Sequence, residues 1–135
     1  MDDNNSIFPK GEKASAAVFT GTAYVNMLVP DKDSVYNCQV YDVVFEAGAR
    51  NNWHKHPGGQ LLLVTAGKGY YQERGKEARL LRPSDVVAIP PGVEHWHGAA
   101  PDSEFTHIGI SPNTQKGGPE WLGPVTDEEY TEAAR

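Results

Sequence analysis

The segment Trp53-His54-Lys55-His56-Pro57-Gly58-Gly59-Gln60 sets two imidazoles two residues apart and a carboxamide four residues further on. In extended backbone, side chains i and i+2 leave on the same face, so His54 and His56 can converge on one point. A third imidazole, His95, follows the proline turn Pro90-Pro91-Gly92-Val93-Glu94. All five histidines, His54, His56, His95, His97 and His107, fall in the middle and second half of the chain. Neutral imidazole is the commonest protein ligand for transition metals. A single histidine is more often a paired core or surface residue than a ligand. Here the pair, with Gln60 and His95 behind it, points to a metal site.

Around this segment the chain reads as short β-strands. Apolar alternation predicts them over Val18–Leu28, Val35–Phe45, Gln60–Thr65, Gly69–Glu73, Glu77–Leu81, Asp85–Ile89, His95–Gly98 and Phe105–Ile110. Breaks rich in Gly, Pro and Asp join them, such as Pro30-Asp31-Lys32-Asp33 and Arg74-Gly75-Lys76. Many short strands at regular spacing predict an all-β sandwich or barrel. One helix is expected, at the end, where Thr126-Asp127-Glu128-Glu129 forms a capping-box pattern and Val125 and Tyr130 can staple its start. Between Ser111 and Pro124 the chain is rich in Gly and Pro, and Trp121 is expected to pack on the body of the domain or on a second subunit. Residues 1–15 are polar and predict a flexible N-terminal arm ahead of one domain over 16–135.

With 135 residues, the chain is long enough to bury a core without staples. Its 12 Lys and Arg against 18 Asp and Glu give a net charge of −6, which argues against a nucleic-acid or anionic-membrane partner. The single cysteine, Cys38, excludes an internal disulfide framework and reads as a small, at least half-buried apolar residue. The start, Met1-Asp2-Asp3-Asn4-Asn5, lacks the basic and apolar blocks of a signal peptide, so a cytoplasmic location is expected. Leu61-Leu62-Leu63-Val64, the longest apolar run, is strand-sized and far short of a membrane span.

Gly48, His54, His56, Gln60 and Gly67 stand in the order Gly-x5-His-x-His-x3-Gln-x6-Gly, which resembles the first motif of the cupin family with Gln in place of its usual Glu. Ser84-x5-Pro90-x-Gly92-x2-His95-x3-Ala99 resembles the second motif, with Ser84 and Ala99 where the family usually has Gly and Asn. Ser84 after Pro83 predicts a type I turn or a modest local cost. The core motifs span 48–99. The resemblance implies a double-stranded β-helix, the cupin jelly-roll barrel, with a divalent metal in its mouth held by His54, His56, Gln60 and His95. Phe45-Glu46-Ala47-Gly48-Ala49-Arg50, His95-Trp96-His97-Gly98-Ala99-Ala100-Pro101 and Thr106-His107 are further similar to the small bacterial cupins that act as manganese-dependent (R)-hydroxynitrile lyases. This closer likeness implies manganese and a catalytic role for His107. Jelly-roll cupins often pair through edge strands, so a homodimer is implied as well, with Trp121 and the segment near Val18 as contact elements.

Three imidazoles and a carboxamide are uncharged, so a bound dication keeps its full charge and acts as a strong Lewis acid. The donor set suits Mn, Fe, Ni, Co or Zn, and lacks the oxygen-rich character that Mg or Ca prefers. Strand parity puts Tyr41, Val43 and Phe45 on one face, Gln60, Leu62 and Val64 on another, and His97 on the face of His95. Tyr41, Val43, Phe45 and Leu62 are therefore the expected wall of a pocket for a small organic molecule. His97 and His107 are expected either to orient neighbouring groups or to move a proton beside the metal. The favoured function is a metal-dependent lyase that cleaves a cyanohydrin to an aldehyde and cyanide. A cupin dioxygenase, a carbohydrate or uronate isomerase and a non-catalytic small-molecule binder are the alternatives on the same barrel.

Overall fold

The computed structural model describes residues 7–135. Strands dominate: β1 (Glu12–Lys13), β2 (Phe19–Thr20), β3 (Ala23–Val29), β4 (Cys38–Phe45), β5 (Arg50–Asn51), β6 (His54–Lys55), β7 (Gln60–Gly67), β8 (Gly69–Glu73), β9 (Arg79–Leu81), β10 (Val86–Ile89), β11 (His95–Ala99), β12 (Phe105–Pro112) and β13 (Glu120–Trp121). A single α-helix, α1 (Asp127–Ala133), closes the described chain. One sheet runs β1-β3-β4-β12-β7-β10; the other runs β13-β6-β11-β5-β2, with β8 on β11 and β9 on β8. All pairings are antiparallel. The sheets curl toward each other into a jelly-roll barrel, the architecture expected from the sequence.

Alternation builds the interior. In β7 every second residue, Gln60, Leu62, Val64 and Ala66, is buried, and β10 buries Val87 and Ile89 in the same rhythm. Leu62, Val64, Val87 and Ile89 meet Phe45, Leu81 and Phe105 in the main core. A second cluster lies outside the barrel, where Trp53 and Trp96 are covered by Val125 and Tyr130 of the C-terminal segment. The capping box forms as predicted: Thr126 Oγ1 accepts from the Glu129 backbone, and the Glu129 carboxylate accepts from the Thr126 backbone.

Three local expectations are corrected. The strand expected over Val18–Leu28 is broken at Gly21, whose φ of +80° and close approach to Ala49 carry the chain from one sheet to the other. The strand expected from Val35 begins at Cys38, because the Asp31 carboxylate accepts from the backbone of Val35, Tyr36 and Cys38 and winds the preceding residues into a turn. Ser84 sits at φ +78° in a turn closed by Asp85 N–H to Arg82 O, so the turn after Pro83 is type II rather than type I, with the local cost. Of the arm expected over residues 1–15, the first six lie outside the described residues. Within the rest, Glu12 and Lys13 pair with Val25 and Tyr24, so this part is held on the sheet edge.

Candidate metal centre

The histidines gather because β6 and β11 run side by side, with His54 opposite His95. His95 and His97 then share the inner face of β11, while Trp96 turns outward under α1. The ring nitrogens of His54, His95 and His97 come within 4.8 Å of one another, a group that fits a divalent metal. His56 follows β6, its ring centroid 5.2 Å from that of His54 and 6.0 Å from that of His95. Gln60, the first residue of β7, places Oε1 3.0 Å from His95 Nε2. Of the four expected ligands, Gln60 thus meets His95, and His56 stands beside His54 and His95, but the close three-nitrogen group takes in His97 and leaves out His56.

Backbone carbonyls determine which nitrogen each ring offers. His54 Nδ1–H donates to Asn52 O at 2.8 Å, and His95 Nδ1–H donates to Val93 O at 2.9 Å. In a neutral ring this leaves Nε2 as a bare lone pair. Burial lowers the pKa of His54 well below its ordinary value, with the neighbouring His95 charge adding to the effect. His95 is also lowered, again chiefly by burial, and His56 falls to about 4 for the same reason. Two acceptors, His95 Nε2 and Gln60 Oε1, therefore face each other at 3.0 Å with no proton between them. That contact repels unless a cation joins it, so the donor set fits the dication that the sequence implies.

The other two histidines form a buried pair. His97 Nδ1 lies 3.1 Å from His107 Nε2, and both His97 ring nitrogens lie 3.3 Å from the Asn51 amide nitrogen. His107 is fully buried between Phe45 and Phe105, and its Nδ1 has no hydrogen-bond partner among the described residues. Burial holds His107 at about 4 and His97 well below its ordinary value.

A cavity of about 200 Å³ opens above these groups. His54, His56, Gln60 and His97 line its polar side; Phe19, Val25, Met27 and Val43 line the apolar side. Tyr41 bridges the two. Burial pushes its hydroxyl pKa up, so it stays protonated, and it bonds both Ser111 and Gln60. Of the expected pocket residues, Tyr41 and Val43 reach the cavity, but Phe45 and Leu62 lie deeper, fully buried in the core. They occupy the right face but the wrong depth, because both belong to the packed core, where Phe45 meets Phe105. His107 likewise stands behind His97 rather than on the cavity wall.

Sequence reasoning missed Trp121, Asn51 and Ser111 as site residues. Trp121, expected only to pack, lies over His54 at 4.7 Å between ring centroids and closes one side of the cavity. Its place comes from β13 pairing with β6, which no local pattern announces.

Comparisons with known proteins agree with this architecture. Residues 41–108 match the cupin domain family. Over 120 residues, covering 87% of this chain and 89% of the relative, the sequence is 43% identical to (R)-mandelonitrile lyase of Granulicella tundricola. The crystal structure of a cupin-like protein from Thermotoga maritima is 62% identical and superposes with a TM-score of 0.94, covering 95% of this chain and 96% of that one. Acireductone dioxygenase of Hahella chejuensis is 25% identical over 60% of this chain, a stretch spanning 43% of that enzyme.

Proposed function

Because this chain belongs to the cupin family, we propose that it is a metal-dependent lyase that cleaves a small cyanohydrin to an aldehyde and cyanide. One observation carries the reaction class: the likeness to (R)-mandelonitrile lyase extends over most of both chains. The proposed ligands are His54, His56, Gln60 and His95, and the proposed ion is manganese. His97 is set aside as a ligand because its Nδ1 faces His107 Nε2, while Gln60 already aims an oxygen at the lone pair of His95.

A divalent ion there would supply Lewis acidity toward a hydroxyl oxygen. The protein supplies the rest. His97 opens onto the cavity with His107 hydrogen-bonded behind it, so the pair can accept the substrate's hydroxyl proton and share it between two rings. Burial keeps both rings neutral with their lone pairs free but makes them weak bases, a cost that the negative charge developing on departing cyanide would offset. As the O–H proton leaves, the C–O bond becomes a carbonyl and the C–C electron pair departs with cyanide, which then takes the proton as hydrogen cyanide. The walls formed by Phe19, Val25 and Val43 suit an aromatic or aliphatic substituent. A homodimer in contact through Trp121 and the segment near Val18, located in the cytoplasm, completes the reading. The exposure of Met27 and Trp121 supports such a contact, and among the described residues no helix is long and apolar enough to cross a membrane.

The test is cleavage of mandelonitrile by protein loaded with Mn(II), followed by benzaldehyde absorbance. Activity is expected in the wild type and strong loss in both His54→Ala and His97→Ala. Loaded protein that cleaves neither aromatic nor aliphatic cyanohydrins would refute the lyase. The match to acireductone dioxygenase favours oxygen chemistry as a second reading, and oxygen consumption by Fe(II)-loaded protein with an enediol substrate would reveal it.

A further inference from the structure

The Gln60 amide has two ends of opposite polarity, and only its oxygen suits a cation. Nε2 of Gln60 donates to the Tyr41 hydroxyl at 2.7 Å, and that hydroxyl lies 2.7 Å from Ser111 Oγ. Tyr41 has one hydroxyl proton. While the Gln60 amide donates into its oxygen, Ser111 Oγ is the acceptor within reach of that proton, and a relay running this way leaves Gln60 Oε1 facing His95.

Without Ser111 the balance reverses. The best acceptor left for the tyrosine proton is the Gln60 carbonyl, which draws Oε1 toward Tyr41 and swings the NH2 group toward His95 Nε2. In the absence of a cation that orientation satisfies every group, because the bare His95 lone pair accepts from the NH2. It also closes the site, since an NH2 offers a cation no lone pair.

The strands hold this relay in place. Gly109 on β12 lies directly opposite Tyr41 on β4, and a side-chain carbon at Gly109 would overlap the Tyr41 ring. The ring therefore lies across β12 and reaches Ser111, two residues further along the same face.

We infer that Ser111, acting through Tyr41, sets the polarity of the Gln60 amide and thereby keeps the site open to a divalent cation. Both are positioning residues. The inference rests on the proposed role of Gln60 as a ligand.

Mn(II) affinity, measured by competition with a chelator, tests it. Ser111→Ala and Tyr41→Phe are each expected to weaken binding by about tenfold, as is usual for groups that orient a ligand. Ser111→Thr, which keeps the hydroxyl, is expected to bind as the wild type does. In a Gln60→Glu background either carboxylate oxygen can face the ion, so adding Ser111→Ala should change affinity by less than about twofold. A purely structural role for Ser111 would weaken both backgrounds alike, and that result would overturn the inference, as would Ser111→Ala binding Mn(II) like the wild type. The double variant also controls for folding, since it carries the same Ser111→Ala change. If the wild type itself takes up no Mn(II), the metal reading falls and this inference with it. If His54→Ala abolishes binding while Ser111→Ala leaves it intact, only this inference falls.

Discussion

At the scale of single residues, the unusual feature is five imidazoles kept neutral by burial. His56 and His107 are both lowered to about 4 from an ordinary value of 6.5. Between those limits the unfolded chain binds protons that the folded chain refuses, so stability rises with pH. The contribution is complete above about 6.5 and is lost as the pH falls toward about 4. Urea unfolding of metal-free protein at a series of pH values should show the midpoint falling steadily across this window. A flat profile would mean that the rings charge without cost in the folded state. The same neutrality favours metal binding, since each lone pair is available without first losing a proton.

At the scale of elements, turns position the site more than strand propensity does. The turn from Arg82 to Asp85 joins β9 to β10, and β10 carries Ile89 to its place opposite Gln60. Ser84 is exposed and sits at φ +78°, a backbone region that costs a non-glycine residue about 1–2 kcal/mol. Part of that cost returns as unfolded-chain entropy when glycine is introduced. Ser84→Gly is therefore expected to stabilise the protein by about 0.5–1 kcal/mol, seen as a higher urea midpoint with an unchanged slope. A lower midpoint would show that the Ser84 side chain supports the turn in some further way.

At the scale of the whole molecule, the C-terminal segment is fastened to the barrel from outside. The buried Arg50 guanidinium donates to Val125 O at 2.9 Å and to Asp127 Oδ1 at 2.9 Å, and lies 4.5 Å from the Tyr130 ring centroid. Asp127 is almost fully exposed, so its ion pair adds little and the Val125 bond carries the weight. The Tyr130 hydroxyl donates to Ala99 O at 2.6 Å, which ties α1 to the end of β11. Arg50→Met should cost about 2 kcal/mol through the lost charge-assisted bond and partly expose Trp96, red-shifting its emission. Mn(II) affinity should persist, because His95 and His97 sit on the opposite face of β11 from Trp96. Loss of metal binding in this variant would show that α1 supports the site through the strand.

Much of this was legible from local pattern, because strand parity and capping are properties of a few neighbouring residues. The alternation of Gln60, Leu62 and Val64, the capping box at Thr126 and the packing of Val125 and Tyr130 all needed only short-range sequence. The motif around His54 marked where a site would form. Parity gives the side of a strand but not the depth along a barrel, which is why Phe45 and Leu62 proved to lie below the cavity and His107 behind His97. Trp121 over His54, and Ser111 across from Tyr41, join residues far apart in the chain through strand register and through a glycine opposite a tyrosine ring. Such contacts arise only when the sheets curl and pair, since the partners share no local period that could announce them.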